Sequence, residues 1–397
     1  MVKLAHRLIE FEYAIRDIAA IADKLRASGK KIYHLNIGDP VQVDFTTPVY
    51  ICQAMADAAF SNKNFYVNSL GIPELREEIV NLEKRKNCII MDPDYVLVMQ
   101  GVSEAILFIC AAMLENGDEL LLPGPVYPPY INFCKFFDGV PVEYKLDEEN
   151  DWNPDIDDIR KKISEKTKAI VMNSPNNPTG VVYSRKHIQE IIDIAGEYDL
   201  PVISDEIYDQ IIYETKYECP ASMTNDVALI GMNGFSKAHL ATGWRLGYVY
   251  FHDPQGKLND IKEGIEKLAR TRLCANSVSQ FAALEALKNP KDYTNKMVEK
   301  LKGRRDIAHK RITELEGFSC VKPQGAFYLF PKLNFSVLKK WDNDKDFVLD
   351  LLKETGVCLV HGSGFGSYGK DHVRIVYLGP PDFLSEVFDL IEDFLRK

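Results

Sequence analysis

The chain has 397 residues, 46% of them hydrophobic and 27% charged, a balance that supplies a large core and excludes extensive disorder. Lysine and arginine total 48 against 58 aspartates and glutamates, and this formal charge of −10 argues against nucleic acid or an anionic membrane as a partner. The longest apolar run, Ala105 to Leu114, is too short to cross a bilayer.

The first segment, Met1 to Glu10, places His6, Arg7 and Glu10 where a signal peptide needs apolar residues. The 8 cysteines (Cys52, Cys88, Cys110, Cys134, Cys219, Cys274, Cys320 and Cys358) are scattered without metal spacing and are expected to be buried, reduced thiols of a cytoplasmic protein. Residues 1–45 lack a strand–helix rhythm. Beyond them Tyr95–Met99 reads as a strand, Ser103–Leu114 as a helix, and Glu119–Leu122 and Val140–Lys145 as strands. Lys168–Met172 is a strand followed by a helix over Ser184–Tyr198, and Pro201–Ser204, Val227–Met232 and Arg245–Phe251 are further strands. This alternation predicts an α/β fold: a large domain over 46–290 with a mostly parallel seven-stranded sheet covered by helices on both faces. After Asn289-Pro290 come a charge-rich helix (Asp292–Leu315), a strand (Gly325–Phe330), a helix (Asp346–Glu354), a turn at Gly362, Gly364 and Gly366, a strand (Val373–Tyr377) and a last helix. They predict a smaller α+β domain over 291–397, against which residues 1–45 pack.

Ligands of a parallel sheet bind beyond the C-terminal ends of its strands. After Tyr95–Met99 comes Gly101-Val102-Ser103-Glu104, a tight turn opening a helix, whose free N–H groups and Ser103 hydroxyl suit a phosphate. The other strands deliver Asn177, Asp205 with Tyr208, and Ser236-Lys237 with Arg245 to the same edge. A phosphate-bearing cofactor that needs both a lysine and a carboxylate is pyridoxal 5'-phosphate: the lysine carries it covalently and the carboxylate keeps its ring nitrogen protonated.

Asn176-Asn-Pro-Thr-Gly180, Ser204-Asp-Glu-Ile-Tyr208 and Ser236-Lys237 with Thr242-Gly-Trp-Arg-Leu-Gly247 resemble the signatures of class I/II aminotransferases, pyridoxal-phosphate enzymes of fold type I. Asn36-Ile-Gly-Asp-Pro40, Tyr66, Gly71–Arg76, Gly124–Pro128 and Val373-Arg-Ile375 extend the resemblance in the same order along the chain. Tyr13-Ala-Ile-Arg16 and Leu268–Cys274 look like the alanine aminotransferase branch of microbes.

The resemblance implies roles for these positions. Lys237 carries the cofactor and moves the substrate proton, Asp205 meets the ring nitrogen, and Asn177 and Tyr208 hydrogen-bond the phenolic oxygen. Tyr127 stacks on the ring. Val102, Ser103, Glu104, Ser236 and Arg245 surround the phosphate, joined by Tyr66 from the neighbouring subunit of a homodimer with shared active sites. Arg374 clamps the substrate α-carboxylate, with Gly38, Asn177, Tyr13 and Arg16 around the substrate. Plainer readings stand beside these: a helix cap for Asp205, a turn for Asn177-Pro178, a core ring for Tyr127, salt bridges for Arg245 and Arg16. One departure is Gly234, where the family often has a phosphate-binding hydroxyl. The implied reaction is a ping-pong transfer between L-alanine and 2-oxoglutarate, with aspartate, aromatic or branched-chain amino acids as alternative donors. An effector-binding regulator on the same fold would need a DNA-binding module, for which the N-terminal segment is too short.

Overall fold

The computed structural model describes residues 2–9, 11–87 and 89–397, so the readings that involve Met1, Glu10 and Cys88 lie outside the described residues. The N-terminal segment carries helix α1 (Ala14–Ala27), which turns Ala14, Ile15, Ile18 and Ala22 inward at helical spacing, and strand β1 (Tyr33–His34). Helices α2 (Val49–Phe60) and α3 (Pro73–Asn87) follow. The main sheet then comprises β2 (Val96–Met99), β3 (Glu119–Gly124), β4 (Val140–Asp147), β5 (Asn153–Pro154), β6 (Thr167–Asn173), β7 (Val202–Asp205), β8 (Leu229–Gly234) and β9 (Gly247–His252). Helix α4 (Val102–Met113) follows β2, and α5 (Pro128–Phe136) follows β3.

The spatial order is β2-β9-β8-β7-β6-β3-β4-β5. β9 runs antiparallel to both neighbours and β5 antiparallel to β4; the remaining pairings are parallel. The order reverses between β3 and β6, a switch point of the kind that opens a crevice at the strand ends. Alternation assigns the two faces. Val98, Met172, Val202 and Leu229 share one core, while Leu97, Val171, Ile203 and Met232 join α4 residues Ala105, Ile106 and Ile109 in the other. Asn173 and Asp205 therefore fall on the α4 face, at the C-terminal ends of their strands.

The C-terminal part holds a three-stranded antiparallel sheet of Tyr328–Leu329, Val373–Val376 and Val360–His361. β1 pairs in parallel with Val357–Cys358, which ties the N-terminal segment to this part.

The seven large-sheet strands expected from the sequence are present, with the two-residue β5 added at the edge. The strand expected from Arg245 begins only at Gly247, because Arg245 takes a left-handed backbone (φ +53°). The expected burial of every cysteine needs correction. Cys52 sits on the open side of α2, its thiol directed to the Thr47 carbonyl, and is exposed; Cys274 and Cys320 are half-buried. Cys110, Cys134, Cys219 and Cys358 are buried, and all seven described cysteines are free thiols. Among the described residues no helix is long and apolar enough to cross a membrane.

Candidate active site

A cavity of about 510 Å³ opens at the C-terminal ends of β2, β6, β7 and β8, and Tyr13, Arg16, Tyr328 and Arg374 close it from the other side. Thirteen of the fifteen site residues expected from the sequence line it, all except Tyr66 and Glu104.

One end is built for an anion. Val102 and Ser103 open α4, whose first N–H groups have no partner within the helix and point outward. Gly101 has φ +78°, and a Cβ there would lie 2.8 Å from the Arg245 guanidinium, so glycine lets this cation close over the helix start. Arg245, left-handed in backbone and exposed, lines the cavity and donates to the carbonyls of Thr242 (3.2 Å) and Gln100 (3.4 Å). Ser236 adds a hydroxyl. At Gly234 a Cβ would lie 3.0 Å from the Leu246 carbonyl oxygen and 3.1 Å from Gly247 Cα, so β9 leaves little room for a hydroxyl-bearing side chain there.

The centre holds Lys237 and Asp205. Lys237 Nζ donates to the Gly38 carbonyl at 2.7 Å. Burial brings its pKa down to about 8, opposed by the Asp39 carboxylate and reinforced by Arg374 and Arg245. Asp205 is buried, accepts from Tyr130 Oη (3.0 Å) and Ile207 N (3.3 Å), and has no ion-pair partner among the described residues. Burial pushes its carboxyl up to about 6. A buried carboxylate without a counter-charge is costly, and a protonated pyridine nitrogen is the partner it lacks.

At the far end Arg374 is 1% exposed and bonds the Asn177 side-chain oxygen (2.9 Å) and the Asn36 carbonyl (2.5 Å). Its guanidinium lies over the rings of Tyr328 and Phe365, and its Nε is buried without a partner. Such a fork can take a carboxylate in bidentate fashion. Tyr208 and Tyr328 share a hydrogen bond of 2.6 Å, and Tyr13 and Tyr127 one of 3.0 Å. Burial holds the Tyr208 and Tyr127 phenols well above their ordinary pKa, so they serve as neutral donors. Gly38 has no side chain because a Cβ would meet the Tyr328 hydroxyl at 2.5 Å.

Arg16 is exposed at the mouth and forms no ion pair among the described residues; Asp17 accepts instead from the backbone N–H of Tyr13 at 3.0 Å. Glu104 does not line the cavity: its carboxylate accepts from Gln100 N (2.7 Å) and pairs with Arg272 (2.6 Å). Arg272 in turn is pinned by Glu104 and the carbonyls of Ser69 and Val98. Tyr66 lies outside the cavity at 79% exposure. Sequence reasoning passed over Tyr130 and Tyr328, which sit among apolar residues and read as core, and Asn173, Asp39 and Thr242, which belong to quoted motifs or their edges.

A lysine of lowered pKa, an unpaired buried carboxylate and a cationic helix N-terminus converge on one cavity of an α/β sheet, and together they define a pyridoxal-phosphate enzyme of fold type I. The profile of the family "Aminotransferase class I and II" matches residues 30–391. The chain is 37% identical over 377 residues to a glutamate-pyruvate aminotransferase of Haemophilus influenzae, covering 94% of this chain and 92% of that one. It is 38% identical over 386 residues to a probable aspartate/prephenate aminotransferase of Aquifex aeolicus, covering 96% and 95%. Among solved structures, alanine aminotransferase from Pyrococcus furiosus is 51% identical with a TM-score of 0.96, covering 99% of this chain and all of that one. The chain belongs to the class I and II aminotransferases and is a pyridoxal-phosphate-dependent transaminase.

Proposed function

We propose that this aminotransferase exchanges an amino group between L-alanine and 2-oxoglutarate, giving pyruvate and L-glutamate, in a ping-pong cycle. The cofactor, when bound, supplies the electron sink that lets the substrate Cα–H ionise. The chain's own residues do the rest. Lys237, whose ammonium is disfavoured by burial, takes and returns the substrate proton. Asp205, held by Tyr130, is the counter-charge that keeps the ring nitrogen protonated. Tyr208 and Asn177 would hold the cofactor's phenolic oxygen, and Tyr127 would lie against its ring. Val102, Ser103, Ser236 and Arg245 hold the phosphate, while Arg374 binds the α-carboxylate common to every substrate.

The observation that carries the substrate reading is Arg16. Glutamate brings a second carboxylate, whose burial without a partner costs several kcal/mol, whereas alanine brings only a methyl group, which would leave a fixed buried cation uncompensated. An arginine at the cavity mouth, whose guanidinium has no hydrogen-bond or ion-pair partner among the described residues, can turn in for glutamate and out to water for alanine. The relatives named for alanine and for glutamate-pyruvate transfer support this choice. Aspartate is the second reading, because a relative 38% identical is named a probable aspartate/prephenate aminotransferase and the same arginine would serve a shorter side chain. Initial rates of the holoenzyme over a panel of amino donors decide: alanine and glutamate lead on this reading, and a preference for aspartate or aromatic donors overturns it.

The active form is proposed to be a cytoplasmic homodimer with shared sites, each chain divided into 46–290 and a smaller domain of 1–45 with 291–397. Support for the dimer comes from Val49, Phe60, Phe65 and Tyr66, which are between 53% and 91% exposed in and just beyond α2. An apolar surface of this kind is one that a second copy would cover, bringing Tyr66 to its phosphate.

A further inference from the structure

One residue beyond Asp205 the chain enters a second group of buried charges, on the opposite face of the sheet. Glu206 and Asp209 meet Glu83 and Lys86 of α3 there, and the three carboxylate residues are between 0% and 3% exposed. Tyr248 and Tyr250 of β9, Asn233 of β8, and Tyr217 and Cys219 of the intervening loop enclose them. The space is built for the purpose: a Cβ on Gly231 would lie 2.0 Å from Tyr250 Cζ, so glycine lets this ring cross β8 and reach Glu206. None of these side chains lines the cavity.

With every carboxyl ionised, three buried negative charges would face one ammonium, whose side chain is 20% exposed, an arrangement that favours neutralising one of them. The donors distinguish the candidates. Glu83 accepts from Tyr248 Oη (2.5 Å), Asn87 Nδ2 (2.6 Å) and Lys86 Nζ (3.3 Å). Asp209 Oδ2 accepts from Lys86 and from Asn233 Nδ2 (3.0 Å). Glu206 is not bonded to the ammonium: its Oε1 accepts from Tyr250 Oη (2.8 Å) and the Cys219 thiol (3.6 Å), and its Oε2 has no partner. Asp209 Oδ1 is the other carboxylate oxygen of the group left without one.

We propose that Glu206 is held as the neutral acid and that Asp209, ionised and paired with Lys86, is a positioning residue for the strand ends that carry Lys237 and Asp205. Asp209 holds the Asn233 side chain, whose oxygen accepts from Gly234 N (2.7 Å) three residues before Lys237. The backbone N–H of Glu206 bonds the Met232 carbonyl (2.9 Å), so the ends of β7 and β8 are fastened together at the same point. Burial and the neighbouring Glu83 and Asp209 push the Glu206 carboxyl up to about 8, while Lys86 opposes them, in keeping with this assignment.

Two isosteric exchanges on neighbouring carboxyls test the proposal because they are expected to differ. Glu206→Gln replaces a neutral acid by a neutral amide, and the holoenzyme keeps kcat/KM within about twofold; Asp209→Asn strips the ammonium of its partner and lowers kcat/KM by about tenfold or more. In infrared difference spectra at about pH 6.5, wild type shows a carboxylic-acid carbonyl band that Glu206→Gln lacks. Between pH 4.5 and about 8 the unfolded chain ionises Glu206 while the folded chain keeps its proton. Wild type therefore loses stability as pH rises: its unfolding constant climbs up to about tenfold per pH unit more steeply than that of Glu206→Gln, and the difference levels off above that range. If Asp209→Asn fails to fold, the infrared band and the Glu206→Gln pH curve still decide. A missing acid band, parallel pH curves, an inactive Glu206→Gln or a fully active Asp209→Asn overturns the proposal.

Discussion

Lys237 and Asp205 were legible in the sequence because each follows a strand and each is a residue type that one cofactor requires. Their environment sharpens what they should do. The apoprotein amine is expected to condense with an added aldehyde half-maximally at about pH 8, because burial disfavours the ammonium and only the neutral amine is a nucleophile. A midpoint near the ordinary 10.5, read by pH-dependent labelling, would show that the amine is solvated. Lys237→Ala should fold and yet lose transamination. Asp205→Asn keeps the bond from Tyr130 but loses the charge, and should slow turnover by at least about tenfold, since a charge-assisted hydrogen bond is worth about 1.5–3 kcal/mol. Arg16→Ala should raise KM for glutamate and 2-oxoglutarate far more than for alanine; equal changes would remove Arg16 from the substrate site. The partners of these residues were not legible. Tyr130 lies among apolar residues of α5 and Tyr328 in an apolar strand, and only their hydroxyls at 3.0 Å from Asp205 and 2.6 Å from Tyr208 set them apart from core rings.

Among the elements, the buried strands read clearly because parallel strands covered on both faces are continuous apolar runs, as Val96–Met99 is. The helices were harder to read. α3 is rich in Glu, Lys and Arg and buries only one side, and two of the residues it buries, Glu83 and Arg76, look like solvent-facing charges in a sequence. The pairing of β1 with Val357–Cys358 joins positions more than 300 residues apart, and no local signal announces it. Arg245 shows the same limit on a smaller scale: its residue type fits a strand start, and its left-handed backbone is imposed by the preceding turn. The glycine at 234 gives an element-scale test. Restoring a hydroxyl with Gly234→Ser presses Cβ against the β9 backbone, and should destabilise the fold by about 1–3 kcal/mol in a urea titration. A variant as stable as wild type would mean that β9 yields easily and that another cause keeps glycine there.

For the molecule as a whole, a shared-site homodimer makes its own prediction. Tyr66→Phe and Lys237→Ala subunits, mixed and allowed to exchange, should regain sites with both residues intact, whereas an active monomer in sedimentation would rule out sharing. The two ends of the cavity are then a cationic cradle at α4 and an arginine pair, Arg374 buried and Arg16 at the mouth, proposed to select substrates. The most direct measurement gives the holoenzyme L-alanine as its only substrate and counts pyruvate. One pyruvate per subunit, released without an oxo acid and followed by one glutamate per subunit when 2-oxoglutarate is added, is the result predicted here. No pyruvate from alanine, with aspartate giving its oxo acid in the same stoichiometry, would contradict it.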